Sequence, residues 1–475
     1  MNDISGKVVG RGTDKDYRDT SFWLSSTVDD DLKPRPALSH NVTVDVAILG
    51  GGFSGLWTAY YLLRDNPGIE VAIVEKEISG FGASGRNGGW CSPRFPVEAS
   101  ALERRFGADR ARATILALHD AVEEIGRVTE QERIDAHYRN TGLLSLARGA
   151  RQLPAVHAAY RNYERLGLGS HNRLLDAQQA YALVHATNVA GGMLTSVGAT
   201  VHPGNLARGL ARAVERLGGV IYEQSEVTSL KLGNHAHLAT HAGSVRARKA
   251  IVAAGEAYLT RLSPFQRSLL PMSSMIVLTA PLTEQQWSQI GWQGGQSLSS
   301  QSNIKNYLTR TLDGRILYGS RGAPYHFGSA ISDSALRNEA VYEWMRTKAR
   351  EWFPVLDDVE FTHAWGGYLG VPRDWMPAVH FDESTKLGRL LGYTGRGVST
   401  SNLAARLLAG LITKRASGFE ALPIHRRNSR VWEPEPFRWA AVRYLQNAYV
   451  RIDAAEETGR ARPWDAPIAD YLGHQ

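Results

Sequence analysis

Residues 44–75 read VDVAILGGGFSGLWTAYYLLRDNPGIEVAIVE. The run from Val44 to Leu49 is apolar except for Asp45, the pattern of a parallel strand covered on both faces. Gly50, Gly52 and Gly55 follow at G-x-G-x-x-G spacing. Gly50 permits a tight turn, Gly52 lets backbone N–H groups approach a diphosphate, and Gly55 lets the next helix lie against the sheet. That helix is expected over about Ser54 to Leu63, and its first turn, with Phe53 and Ser54, aims unpaired N–H groups at the phosphate. Asn66-Pro67-Gly68 stops it, and Ile69 to Val74 supplies the next strand. Glu75, followed by Lys76, stands twenty positions after Gly55, where a carboxylate accepts hydrogen bonds from both ribose hydroxyls. An acid there disfavours a 2′-phosphate, so FAD or NAD is expected over NADP. Glycine is common in this chain, with 47 residues, so the spacing alone is weak evidence. The whole series of strand, turn, helix, strand and acid carries the reading.

Around this unit, 475 residues allow two or three domains, and a 43% apolar fraction with twelve Trp supplies a large core. The single cysteine, Cys91, excludes an intrachain disulfide and fits a reducing compartment. The first forty residues lack the apolar centre of a signal peptide, so a cytoplasmic protein is expected. The net charge of +7, from 54 Lys plus Arg over 47 Asp plus Glu, is spread along the chain. It suits an anionic substrate; with no basic run or zinc pattern, nucleic acid is not an expected partner, and no metal site is expected.

Residues 1–40 read as an irregular arm anchored by Trp23, with Pro34 and Pro36 discouraging regular structure. After Glu75 comes SGFGASGRNGGW, with five glycines between Gly80 and Gly89. Such a backbone suits close contact with a flat ligand or a phosphate, with the Ser84 hydroxyl at hand. The pair GGGFSG and GFGASGRNGGW resembles the D-amino-acid-oxidase-like flavoproteins, a family that includes glycine and sarcosine oxidases, and the form ASGRNGG is most like its gamma-glutamylputrescine oxidase branch. The resemblance implies that this loop, through Gly82, Ala83, Ser84, Arg86, Asn87, Gly88, Gly89 and Trp90, runs along the pyrophosphate to the flavin ring.

Further along, helices are expected over about Ala101 to Gln131 and Pro154 to Val184, and a strand over Gly142 to Ala147. His202-Pro203 precedes a helix that stops at Gly218, and His202 reads as a cap or core residue rather than a substrate contact. Asp313-Gly314 between two alternating runs marks a hairpin over Asn306 to Gly319. By the resemblance, Val227 pairs with the adenine edge, and Ala254 and Gly255 end a second strand that returns to the cofactor. Gly395, Arg396, Gly397, Val398 and Ser399 open a helix to Ile412 whose N-terminus stabilises negative charge on reduced flavin. Trp365, Tyr368, Arg321, His326 and Arg396 are candidates for the substrate pocket, with Trp365 and Tyr368 expected as an aromatic wall over the flavin. From Phe437 to Ile452 a basic amphipathic stripe fits docking on the chain's own body, a membrane surface or a partner protein.

The resemblance implies an α/β architecture: an FAD-binding Rossmann-type domain over 41–100, 200–265 and 360–422, and an antiparallel-sheet substrate domain over 101–199 and 266–359. An arm over 1–40 and a helical extension over 423–475 flank them. The activity implied is oxidation of a C–N bond in a small amine or amino acid by hydride transfer to flavin N5, with the imine hydrolysing afterwards and O2 as the electron acceptor. FAD is expected to be non-covalent, since Cys91 does not match the family's covalent positions. A flavin-dependent hydroxylase or a non-catalytic flavoprotein is the alternative. No acid–base pair stands out, in keeping with chemistry that needs orientation and a dry pocket more than a dedicated base.

Overall fold

A computed structural model describes residues 15–28, 30–320, 323–426, 429–458 and 460–473. The expected nucleotide unit forms. Strand Val42–Leu49 pairs in parallel with Val71–Val74 on one side and Ser244–Ala253 on the other, and Val220–Tyr222 extends the sheet beyond Val71–Val74. Strand Leu387–Leu391 joins in parallel at the C-terminal end of Ser244–Ala253, while the antiparallel meander Ser229–Lys231 and His237–Ala239 occupies its other end. All the parallel strands therefore end on one edge of an eight-stranded sheet, where a ligand crevice is expected.

Helix Phe53–Asp65 packs on this sheet between helices Pro203–Arg216 and Gly397–Thr413, and almost every residue in it is buried. An all-round apolar surface such as Leu56, Trp57, Tyr60, Tyr61 and Leu62 suits a helix covered on every side. Truncating one of these leucines to Ala would cost about 2–5 kcal/mol.

The second sheet also has eight strands, in the spatial order Phe361–Val371, Leu270–Thr279, Ile316–Ser320, Asn306–Arg310, Ser297–Ser300, Leu143–Arg148, Val189–Thr195 and Asn172–Leu175. Its pairs are antiparallel except for Ser297–Ser300 beside Leu143–Arg148. The hairpin at Asp313-Gly314 is present, with Arg310 opposite Ile316. A small three-stranded patch, Trp90–Cys91, Ala199–Thr200 and Arg139–Asn140, lies apart from both large sheets.

Three expectations are corrected. The helix over Ala101 to Gln131 is two helices, Ala99–Phe106 and Ala108–Gln131, divided at Gly107, whose φ of 84° ends the first. The segment from Pro154 to Val184 is a helix, Leu153–Arg165, then the edge strand Asn172–Leu175 and a short helix, Ala177–Tyr181. The N-terminal arm is not wholly irregular, because Ser21 caps a one-turn helix, Phe22–Ser25, that buries Trp23.

The C-terminal helix Phe437–Glu457 docks on the chain's own body. Its buried Asp453 accepts hydrogen bonds from the N–H groups of Asn303 (2.9 Å) and Ile304 (2.7 Å), and Gln446 bonds the backbone at Ala323 and Tyr325. Among the described residues no helix is long and apolar enough to cross a membrane, and no cluster of His, Cys, Asp or Glu could hold a metal ion.

Candidate active site

A cavity of about 550 Å³ runs from the C-terminal edge of the parallel sheet to the underside of the second sheet. At its first end the glycine turn is built by contact. A Cβ on Gly55 would stand 2.0 Å from the carbonyl oxygen of Gly50, and one on Gly50, at φ 105°, 2.9 Å from that of Ala254. The helix N-cap, Gly52, brings no side chain of its own; the Phe53 N–H donates to Ser84 Oγ of the second glycine loop at 2.8 Å, and Gly50, Gly52, Phe53 and Ser54 at this helix end line the cavity. Glu75 lies at the tip of the second strand and accepts hydrogen bonds from the N–H groups of Gly51 (2.7 Å) and Glu77 (2.9 Å). Burial pushes its carboxyl up to about 7, against the pull of those two donors. Lys76, Val227, Ala254 and Gly255 complete this end. Tyr258, on the same wall, has a buried hydroxyl with no partner among the described residues.

The second glycine loop crosses the middle of the cavity and is held from behind. The carbonyls of Gly85, Arg86, Asn87 and Gly88 accept hydrogen bonds from Ser21 Oγ (2.7 Å), Trp365 Nε1 (2.9 Å), Trp23 Nε1 (2.6 Å) and Thr309 Oγ1 (2.7 Å) respectively. Donors from three distant segments thus hold four consecutive carbonyls, which pre-organises the loop. Gly82, Ala83, Ser84, Arg86, Asn87, Gly88 and Trp90 line the cavity. The buried Arg86 side chain is tied to Phe81 O at 2.8 Å and lies over the Phe81 ring.

The far end is formed by the turn into helix Gly397–Thr413. Its N-cap, Arg396, makes no side-chain cap bond, and this second helix terminus meets the cavity, with Gly395, Arg396, Gly397 and Val398 in the wall. Above it the second sheet contributes Tyr307 and Asn306, and Tyr307 meets the Trp90 ring edge-on at 5.9 Å. Beside them Arg94 donates to Ser145 Oγ at 2.8 Å. It is enclosed deep in the molecule, its open surface is cavity wall, and no carboxylate pairs with it among the described residues. Burial lowers its pKa, a guanidinium held without a counter-charge. An apolar slot lined by Phe95, Leu102, Tyr163 and Met193 continues past Arg94.

Several expected site residues lie elsewhere. Trp365 is a core residue, 5% exposed, packed with Phe22, Trp23 and Leu317 behind the loop, and does not line the cavity. Tyr368 does line it, but its hydroxyl donates to the Ser332 carbonyl at 3.0 Å. The aromatic wall is instead Trp90 with Tyr307. His326 is exposed and away from the cavity, and Arg321 lies outside the described residues. Gly55, Gly89 and Ser399 are not in the cavity wall: Gly55 seats the helix, Gly89 packs on the Val201 carbonyl, and Ser399 Oγ donates to the Ser92 carbonyl. His202 caps its helix, accepting from the Asn205 N–H at 3.0 Å. Arg94, Tyr307 and Glu256 in the cavity wall escaped sequence reading.

Residues 45–411 match the family described as FAD dependent oxidoreductase. The chain is 31% identical over 405 residues to the gamma-glutamylputrescine oxidoreductase of Escherichia coli (strain K12), covering 85% of this chain and 91% of that protein. It is 25% identical to the glycine oxidase of Geobacillus kaustophilus (strain HTA426), over 80% of this chain and 95% of the relative. In fold it is similar to the crystal structure of glycine oxidase from Geobacillus kaustophilus, with a TM-score of 0.66 at 23% identity over 83% of this chain and all (100%) of that one. The L-proline dehydrogenase from P. horikoshii gives a TM-score of 0.67 at 20% identity, over 81% of this chain and 96% of that one. Together with a cavity whose two helix ends and buried acid suit a dinucleotide, these matches establish that the chain belongs to the FAD dependent oxidoreductase family, of the amine and amino-acid oxidase type, with FAD as its cofactor.

Proposed function

We propose that this enzyme oxidises the C–N bond of a small amine or amino acid bearing an anionic group. The observation that carries the anionic group is Arg94, a guanidinium enclosed beside the cavity with a neutral hydroxyl as its partner. A substrate carboxylate would supply the missing counter-charge, and such a bond in an enclosed site is among the stronger ones available.

Glu75 would hold the ribose hydroxyls, the helix end at Gly52 the pyrophosphate, and the helix end at Gly397 the flavin ring. The fit is good: Gly52 leaves room a larger residue would fill, and the orphaned Tyr258 hydroxyl gains a partner. FAD, when bound, supplies a hydride acceptor at N5 for the carbon next to a neutral amine. The chain's part is to orient and to keep water out: Arg94 fixes one end of the substrate, while Trp90, Tyr307 and the slot at Leu102 and Met193 enclose its apolar portion. The oxidised product is an imine, which hydrolyses to a carbonyl compound and ammonia or an amine. FAD is held non-covalently in this reading, since Cys91 is buried outside the cavity wall and burial raises its thiol pKa. Oxygen is the acceptor, a reading supported by the similarity to a glycine oxidase. We assign FAD binding to 41–100, 200–265 and 360–422, and the substrate roof to 101–199 with 266–359.

The test is a panel of amines in matched pairs, each with and without a carboxylate. A kcat/KM at least tenfold higher for the charged member of most pairs is expected; equal values would exclude the assigned role of Arg94.

A further inference from the structure

Glu256 follows the cavity-lining pair Ala254 and Gly255, lines the cavity itself and is otherwise enclosed. Its carboxylate accepts three backbone hydrogen bonds from two segments more than a hundred residues away. Oε2 accepts from Gly392 N–H at 3.0 Å, and Oε1 from Gly370 and Tyr393 N–H at 3.3 Å each. Gly370 is near the end of strand Phe361–Val371, and Gly392 and Tyr393 begin the turn into helix Gly397–Thr413.

That turn is conformationally unfavourable by itself. Gly392, Thr394 and Gly395 have φ of 85°, 51° and 76°, so a β-branched threonine is held in the left-handed region between two glycines. Glu256 has a φ of 45°. Such angles persist where the surroundings over-determine them, and three converging N–H groups on one carboxylate are a restraint of that kind. Among the described residues no Lys or Arg pairs with Glu256, so its bonding is spent on this backbone.

We infer that Glu256 is a positioning residue that clamps the Gly392–Arg396 turn and so sets where the flavin end of FAD seats. The inference rests on FAD occupying the cavity as proposed above. The clamp is also sensitive to pH. Burial pushes the Glu256 carboxyl up to about 7 although the three donors favour its charged form, and Tyr393, whose own hydroxyl is raised by burial first and then by Glu256, is the titratable group facing it. A proton on one carboxyl oxygen turns an acceptor into a donor and removes at least one of the three bonds.

The experiment follows the visible flavin bands and midpoint potential of the holoprotein from pH 5.5 to 8.5 in wild type, Glu256→Gln and Glu75→Gln. Burial pushes Glu75 up to about 7 as well, but at the ribose end, so its variant separates the two groups. An inflection near pH 7 is expected in wild type and in Glu75→Gln and is expected to vanish in Glu256→Gln, whose FAD affinity falls about tenfold. A yellow protein whose flavin signals are the same in Glu256→Gln as in wild type overturns the inference, whereas a colourless wild type overturns the cofactor placement instead. Should Glu256→Gln fail to fold, amide exchange in wild-type holoprotein decides. Protection at Gly370 and Gly392, corrected for intrinsic rates, is expected to drop about tenfold from pH 8 to pH 6, and unchanged protection contradicts the clamp.

Discussion

Tyr393 Oη lies 2.8 Å from Ser54 Oγ, a hydrogen bond between residues 339 positions apart in the chain. It joins the helix that opens at Gly52 to the turn that opens the helix at Gly397, so both helix ends facing the cavity are set relative to one another. Replacing Tyr393 with Phe leaves Ser54 with an unsatisfied hydroxyl and should lower the stability of the cofactor-free protein by about 1 kcal/mol. Thermal melting checks this, and the flavin bands of the reconstituted variant should shift because the two ends are no longer tied.

The two glycines of the first turn should separate folding from binding. A methyl at Gly55 meets the Gly50 carbonyl at 2.0 Å, so Gly55→Ala should destabilise the fold by more than about 3 kcal/mol, measured by denaturant melting. A Cβ at Gly52 meets only Ser84, with Oγ at 3.0 Å, so Gly52→Val should fold with near-normal stability and purify without colour.

Arg94→Gln should act on substrate rather than on flavin. The variant should purify yellow, with kcat/KM for a carboxylate-bearing amine lowered roughly 100-fold and mostly through KM, while the matched neutral amine changes less than about threefold. A uniform loss on both amines in steady-state kinetics would instead mark a structural role.

Much of the nucleotide unit was legible because it is contiguous: strand, turn, helix, strand and acid lie within residues 44–75, and Gly55 answers a contact inside that stretch, with the Gly50 carbonyl. The roof was not. Arg94 becomes significant only when Ser145, fifty-one positions on, is its neutral partner, and Glu256 only when Gly370, Gly392 and Tyr393 converge on it. The expectation of Trp365 with Tyr368 as one wall failed for a reason available in the sequence. Both lie on strand Phe361–Val371, and residues three apart on a strand point to opposite faces, so Trp365 backs the glycine loop while Tyr368 packs with Ala257 and Leu336. The division at Gly107 was likewise visible as a glycine and was overridden by the helical spacing around it.

Acid should loosen the arm that supports the loop. His202 accepts from Asn205 N–H through Nδ1, contacts Ser26 Oγ through Nε2 and packs on Trp23, and burial first, then neighbouring His137, lowers its pKa to about 4. The unfolded chain takes up that proton near 6.5, so the contribution is intact above 6.5 and is lost as pH falls towards 4, by up to about 3 kcal/mol. His202→Asn keeps a capping oxygen and should flatten the pH dependence of melting over this window.

The central claim is tested most directly by the visible spectrum of the purified protein and its response to amines under anaerobic conditions. The account predicts flavin absorption that bleaches with a carboxylate-bearing amine and returns when air is admitted. A protein that purifies without flavin, or whose flavin no amine reduces, would contradict it.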